Sequence, residues 1–225
     1  WTDLPVNQTR FKANHVFSAH YPGIAVLFTQ DLDGAGRRLM KDYLEFVQER
    51  YGHVKDLFEW CTGPGFLGYA MLAHEFTDRL CLADINPKAV HFAQKTREAN
   101  YLEDRVEIYL SDNMDSVPDS QQWGLVISNP PHFGGTEDLF FEIDRRGMDP
   151  EWRIHRKFFS QVGAHLKPGG ELCIMEWQDK NVPESSTPEL FRPMLEENGF
   201  VMVDAVTCKE VADHYYLIAR KKYYD

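Results

Sequence analysis

Apolar and polar positions change their rhythm near residue 52 of the 225-residue chain. Residues 1–30 lack clear periodicity apart from one apolar run, Ile24-Ala25-Val26-Leu27-Phe28. From Gly34 a helix is predicted, with Leu39, Met40, Tyr43, Leu44 and Val47 on one face and Gly52 as its stop. Short apolar runs then alternate with helical stretches: strands at 55–61, 79–84, 105–110 and 123–128, helices at 66–76 and 87–99. Residues 136–149 are irregular and suit a flexible lid, and Glu151–Leu166 reads as the next helix. Lys167-Pro168-Gly169-Gly170 is a turn into the strand Glu171–Trp177, and the polar stretch 178–188 is a loop. Pro188–Asn198 is predicted helical despite Pro193, with Gly199 ending it. Val201–Cys208 and His214–Arg220 are two final strands, close enough in sequence to pair antiparallel. Alternating strands and helices predict an α/β fold whose parallel sheet is covered on both faces.

Composition adds limits. At 43% hydrophobic and 13% aromatic residues the chain is folded and globular, and its length suits one domain of the larger kind. No run reaches the length of a membrane span, and no positive region precedes an apolar segment at the start, so neither anchor nor signal is expected. Opening on Trp1 suggests a fragment or a processed form. Cys61, Cys81, Cys173 and Cys208 all fall in predicted strands without metal-like spacing. They read as buried thiols of a reducing, cytoplasmic compartment. His91, His155, His165 and His214 are scattered, and none is given a metal role.

Candidate chemistry sits at the strand ends. The strand 55–61 runs into Thr62-Gly63-Pro64-Gly65-Phe66-Leu67-Gly68, whose glycines permit tight turning and close approach to a ligand at a helix amino terminus. The same residues satisfy the Gly-x-Gly-x-x-Gly of dinucleotide folds, a weak signal alone. The next strand ends in Asp84, placed to hold a ribose hydroxyl pair. Asn86-Pro87 already supplies the helix cap, which leaves Asp84 for a ligand. The third strand ends in Ser111-Asp112-Asn113-Met114, and the fourth, Leu125-Val126-Ile127-Ser128, in Asn129-Pro130-Pro131-His132. Two prolines without N–H groups leave this segment only carbonyl acceptors and the Asn129 amide. It reads either as an ordinary turn or as a stiff grip for both N–H bonds of a planar amino group. Such an amine is a poor nucleophile until its two N–H bonds are held and its lone pair is aimed.

The order of glycine loop, ribose acid, Ser111-Asp112-Asn113 and Asn-Pro-Pro-aromatic resembles the class I S-adenosylmethionine-dependent methyltransferases. Within that class it is similar to those acting on amino nitrogens: release-factor and ribosomal-protein glutamine methyltransferases, and adenine-N6 or guanine-N2 RNA methyltransferases. The resemblance runs from about Val26 to the carboxyl terminus. It implies a single domain over 1–225, with residues 1–52 as an extension and helix packed on a Rossmann-like core of 53–225. The implied sheet is seven-stranded and mostly parallel with an antiparallel last strand. It further implies that Glu59, Thr62, Gly63 and Gly65 contact the methionine part of S-adenosyl-L-methionine and Asp84 its ribose. Asp112 and Asn113 would lie beside the adenine, and Asn129 and Pro130 would hold the acceptor amine. Val26–Asp31 resembles the element that reaches over the methionine end.

Two positions depart from the pattern. Cys61 stands where the loop's first glycine is usual, and His132 stands where an aromatic ring stacks on the acceptor. Either His132 or Phe133 takes the stacking role. A general-base role for His132 is open but little needed, because an alkylated nitrogen sheds its proton readily. The implied acceptor is RNA or a translation-related protein. A net charge of −11 is a poor profile for gripping a polyanion. Arg145, Arg146, Arg153, Arg156 and Lys157 are a local exception, either a solvated face or a phosphate contact. Competing readings are an NAD(P)-dependent oxidoreductase on the same glycine pattern and a non-catalytic cofactor-binding subunit.

Overall fold

The computed structural model describes residues 15–33, 36–135, 147–178 and 185–222. Strands that are apolar at successive positions must be covered on both faces, and here they form the centre of one sheet. Its strands are β3 (Val54–Trp60), β4 (Thr77–Asp84), β5 (Val106–Leu110), β6 (Trp123–Ser128), β7 (Leu166–Trp177), β8 (Phe200–Thr207) and β9 (His214–Lys221). They lie in the order β5-β4-β3-β6-β7-β9-β8. Neighbours from β5 to β7 are parallel, and β9 enters antiparallel to both β7 and β8. This is the predicted seven-stranded, mostly parallel α/β sheet with an antiparallel last strand.

Helices cover each face. On one, α1 (Gly36–Tyr51), α2 (Phe66–Ala73) and α3 (Pro87–Ala99) bury Tyr43, Val47, Leu67, Met71 and Ala93 against Leu57, Leu82 and Ile127. On the other, α4 (Arg153–Val162) and α5 (Pro188–Glu197) bury Phe158, Phe159, Phe191 and Leu195 against Phe58, Val126 and Ile174. The face of α1 expected to be apolar is buried at Leu39, Tyr43, Leu44 and Val47. Asn86 caps α3 through its side chain, accepting from the Lys88 amide at 3.0 Å. Pro193 sits inside α5, where burial of Phe191, Met194 and Leu195 outweighs the lost hydrogen bond.

Some boundaries differ from the sequence pattern. The stretch without periodicity contains a hairpin, β1 (Val16–Tyr21) and β2 (Ile24–Thr29), turned by Pro22-Gly23 with Gly23 at φ 71°. Only Ala19 of β1 is buried, so the strand shows no alternation to read. The helix expected over 66–76 ends at Ala73 because Glu75 turns left-handed, φ 60°, and brings Phe76 N back to Met71 O at 2.9 Å. The helix expected over 151–166 starts two residues late, after Glu151 and Trp152 in left-handed conformations, and finishes as a tight turn over Gly163–His165. The Pro-Gly-Gly turn lies within β7 as an irregular start, with Gly169 at φ 76°. Cys61 and Cys208 fall one residue beyond strands rather than inside them, and all four cysteines are free. Most of the expected lid, residues 136–146 with Arg145 and Arg146, and residues 179–184 of the expected loop lie outside the described residues.

Candidate active site

Parallel neighbours end on one side of the sheet, and the register aligns their last residues. Trp60 pairs with Ala83 and with Ser128, and Asp84 with Leu110. The loops leaving β3, β4, β5 and β6 therefore open on one crevice, where the strand order reverses between β3 and β6. A cavity of about 500 Å³ fills it, bounded by Glu59, Thr62 and Gly63, by Asp84, by Asp112 and Asn113, and by Asn129 to His132.

The glycine loop is held by two acids. Glu59 Oε2 accepts from Thr62 Oγ1 and from the Gly68 amide, both at 2.8 Å. Burial pushes the Glu59 carboxyl up to about 8, Asp84 adds to the rise, and the Thr62 and Gly68 bonds oppose it. Asp84 Oδ2 accepts from Gly63 N at 2.7 Å and Oδ1 from Asn86 N at 2.8 Å. Burial raises its pKa too, against these amide bonds. Each oxygen keeps further acceptor capacity.

The glycines do different work. Gly63, at φ 56°, has open space where a Cβ would stand, and it lines the cavity. Gly65, at φ 89°, is turned the other way: a Cβ there meets the Tyr69 ring at 2.7 Å. It serves the packing of the loop, and it is not among the residues lining the cavity. A Cβ on Gly68 meets Glu59 Oε2 at 2.7 Å, so that glycine lets α2 lie close on β3 and β4. Cys61 adopts φ 53°, a left-handed conformation that a glycine holds without strain.

On the adenine side expected for a cofactor, Asp112 is tied to Lys157, with Nζ to Oδ2 at 2.7 Å, and Lys157 also bonds Asp115 at 2.6 Å. Lys157 is thus neutralised within the molecule, while Arg153 and Arg156 remain exposed on α4. Asn113 is left-handed at φ 54°, and its Oδ1 accepts from Trp60 Nε1 at 2.8 Å. Its side chain thereby fixes the end of β3.

The Asn129 segment forms the opposite wall. His132 N and Phe133 N both donate to Gly147 O at 2.9 Å. His132 lines the cavity, whereas Phe133 leaves it and packs on Trp177 with ring centres 4.6 Å apart. Gly134 passes under Trp152 so closely that a Cβ would fall 2.1 Å from the indole.

Three residues that the sequence did not assign to the site complete the wall from behind. His132 Nδ1 lies 3.3 Å from Glu176 Oε2, Glu176 Oε1 lies 2.9 Å from His155 Nε2, and His155 Nδ1 lies 2.7 Å from Asp149 Oδ2. Asp149, His155 and Glu176 are wholly buried. A lone acid in the apolar run of β7 was the available hint, and only strand order shows what it meets. Among the described residues no cluster of His, Cys, Asp and Glu is arranged for a metal ion, and no helix is long and apolar enough to cross a membrane.

Comparison with known proteins bears on this geometry. The profile of the methyltransferase small domain matches residues 24–202. A release factor glutamine methyltransferase of Koribacter versatilis is 31% identical over 119 residues, covering 48% of this chain and 41% of that protein. A ribosomal RNA small subunit methyltransferase C of Pseudomonas aeruginosa is 28% identical over 124 residues, covering 55% of this chain and 32% of that protein. The matched region is thus less than half the length of either relative. Among solved structures, a 16S rRNA N2 methyltransferase of T. thermophilus in complex with AdoMet and guanosine superposes with a TM-score of 0.61 at 21% identity, covering 92% of this chain and 50% of that one. A ribosomal protein L11 methylase of Lactobacillus delbrueckii gives 0.57 at 14% identity, covering 84% and 81%.

Proposed function

This chain belongs to the methyltransferase small domain family, and on that premise we propose that it moves a methyl group from S-adenosylmethionine to a planar amino nitrogen of a macromolecule. One observation carries the reading: the Asn129-Pro130-Pro131-His132 segment and the acid Asp84 face the same cavity from opposite sides.

The cavity suits that cofactor. Glu59, Asp84 and Asp112 line it, which favours a ligand carrying a sulfonium and an ammonium. The open space over Gly63 admits close approach of a ligand to the loop backbone, and the unused lone pairs of Asp84 fit a ribose hydroxyl pair. Bound there, S-adenosylmethionine supplies a methyl group on a positively charged sulfur. The carbonyls of the proline pair and the Asn129 carboxamide accept the two N–H bonds of the amine and direct its lone pair along the C–S axis. With the sulfur as leaving group, the N–C bond would form as the C–S bond breaks with its electrons to sulfur. The nitrogen, now cationic, is favoured by the surrounding acceptors and then passes one proton to water. The products are S-adenosylhomocysteine, the methylated amine and a proton. His132, not Phe133, supplies the flat surface beside the acceptor, since only His132 borders the cavity.

Both a nucleobase of RNA and a glutamine of a translation protein offer such an amine, and the relatives' names include both kinds of acceptor. RNA is placed first because Arg153 and Arg156 stand exposed on α4, whose Ile154 lines the cavity, although Lys157 is already paired. Calorimetry with S-adenosylmethionine, S-adenosylhomocysteine and NAD tests the cofactor, and binding of NAD alone would overturn the reading. Labelled cofactor offered with extracted RNA and with ribosomal and release-factor proteins tests the acceptor. RNA methylation is expected to weaken steeply with salt, with charge reversal at Arg153 and Arg156 flattening the slope. Label on a carbon, an oxygen or a lysine amine would refute the planar-amine argument.

A further inference from the structure

Charge is divided unevenly in the cavity. Glu59, Asp84 and Asp112 line it near the ends of β3, β4 and β5, whereas its described lining from Asn129 onward, closed by Gly147, Met148 and Ile154, holds no Asp, Glu, Lys or Arg. Methyl transfer as described above makes no use of Met148 or Ile154. Met148 belongs to the same wall as the tetrad, because residues 147–151 run beside 132–134 as a strip. Gly147 O accepts from the His132 and Phe133 amides at 2.9 Å, Asp149 N donates to Phe133 O at 2.7 Å, and Glu151 N donates to Gly134 O at 3.0 Å. Phe133 and Met148 pair as a parallel bridge within it.

Ile154 reaches the cavity through a turn that the backbone resists. Glu151 and Trp152 are both left-handed, φ 57° and 58°, a conformation that costs any residue with a side chain. Two devices hold the chain there. Asp149 caps α4, its Oδ1 accepting from Ile154 N at 2.8 Å and its Oδ2 from His155 N at 3.0 Å. The His155 ring, wholly buried, lies with Nδ1 2.7 Å from Asp149 Oδ2 and Nε2 2.9 Å from Glu176 Oε1. Burial opposes charge on that ring, but Glu176 and the Asp149 bond outweigh it and raise the ring to about 9, so the pairing stands at neutral pH. Successive helix side chains point about 100° apart. With His155 pinned behind the wall, Ile154 is turned to the cavity that it lines. The buried acids and imidazole thus have a geometric task, which is to orient the first turn of α4.

We propose that Met148 and Ile154 are specificity-determining residues: with the His132 ring they form a slot free of acids, lysines and arginines that takes an aromatic ring bearing the amine, a nucleobase, in preference to a glutamine carboxamide. This rests on the N-methylation reading. The two ring nitrogens of His132 face Glu176 Oε2 at 3.3 Å and Asn129 Oδ1 at 3.1 Å, so its edge is engaged and its flat face is the surface left to the acceptor. A nucleobase has two broad faces, one to lie on an imidazole and one to meet a thioether and a branched aliphatic chain, and sulfur makes favourable contacts with aromatic rings. A carboxamide on a flexible stem has small faces and is recognised through its polar edge, which an apolar slot leaves short of partners. Contact with phosphate falls outside the slot, to the exposed Arg153 and Arg156 that flank Ile154 on α4.

The test uses the full chain with carbon-13 in its Met and Ile methyl groups, saturated with S-adenosylhomocysteine so that the cofactor half is filled. Guanosine, adenosine and N-acetylglutamine methylamide are the probes, and Met148→Leu and Ile154→Val assign the signals. A nucleoside is expected to move the Met148 and Ile154 methyl signals upfield, as an aromatic ring lying over a methyl group does, and the glutamine analogue is expected to leave them in place. With labelled cofactor and extracted RNA, Ile154→Ala should raise KM about tenfold and leave the affinity for S-adenosylhomocysteine within about twofold. A purely structural role would not give that split. Should Ile154→Ala fail to fold, the methyl signals of the wild type decide alone. Signals that answer to the glutamine analogue and not to the nucleosides, signals that ignore every probe, or an Ile154→Ala chain that loses cofactor affinity as much as acceptor affinity overturns the inference. Absence of methyl transfer to any acceptor would instead count against the N-methylation reading, and the methyl signals would still decide what the slot takes.

Discussion

Glu59 yields a proton count that reports on the cavity without any acceptor. The side chain is 3% exposed, and burial lifts its pKa from 4.5 to about 8. At pH 7 roughly nine molecules in ten then hold a proton on Glu59. A cation bound against it replaces lost hydration and favours the carboxylate, so that proton is expelled on binding. About 0.9 proton should leave per S-adenosylmethionine bound at pH 7 and about 0.1 at pH 9. Calorimetry in two buffers of different ionisation enthalpy reads the number directly. The same shift acts on folding: the folded chain keeps a proton that the unfolded chain has lost between 4.5 and about 8. This contribution is fully present below the unfolded value and is lost as pH rises through the folded one, by several kcal/mol in order of magnitude. Denaturant midpoints should therefore drop between pH 5 and pH 9 in wild type and less so in Glu59→Gln, whose neutral amide mimics the protonated acid. Identical proton release in wild type and Glu59→Gln, or none in wild type, would refute this account.

Other residues carry sharper, simpler expectations. Asp84→Ala deprives Gly63 N and Asn86 N of their acceptor and would remove the proposed ribose contact. Cofactor affinity should fall by about 1.5–3 kcal/mol or more, measured equally with S-adenosylhomocysteine, and unchanged affinity would remove Asp84 from the site. Asn129→Ala should leave cofactor affinity nearly intact while kcat and kcat/KM both drop, and near-normal turnover would return the tetrad to a plain turn. Gly134→Ala drives a methyl group into Trp152, where a Cβ would stand 2.1 Å from the ring. Stability should fall by about 1–3 kcal/mol in chemical denaturation, and a neutral result would mean that the Trp152 wall yields freely.

Much of this protein is legible in its sequence because the relevant signals are local. Buried parallel strands are continuous apolar runs, so β6 and α3 emerge with their full spans, 123–128 and 87–99. Parallel strands share one carboxyl edge, so Glu59, Asp84, Asp112 and Asn129 had to gather wherever such a sheet formed. Other features have no local pattern. The β1–β2 hairpin shows no alternation because it buries almost nothing on its outer strand. Gly65 and Gly63 look alike in sequence, yet one packs on Tyr69 and the other opens to the cavity. Lys157 reads as part of a basic cluster until the β5 loop brings Asp112 and Asp115 against it. His132 and Glu176 are 44 residues apart, and His155 and Glu176 are 21 apart. Sequence alone determined which chemistry lies at the strand ends, because turns, caps and apolar runs act between near neighbours. Tertiary structure alone decided which of those groups are paired, because pairing follows from strand order, and β7 lies beside β6 only in the folded sheet.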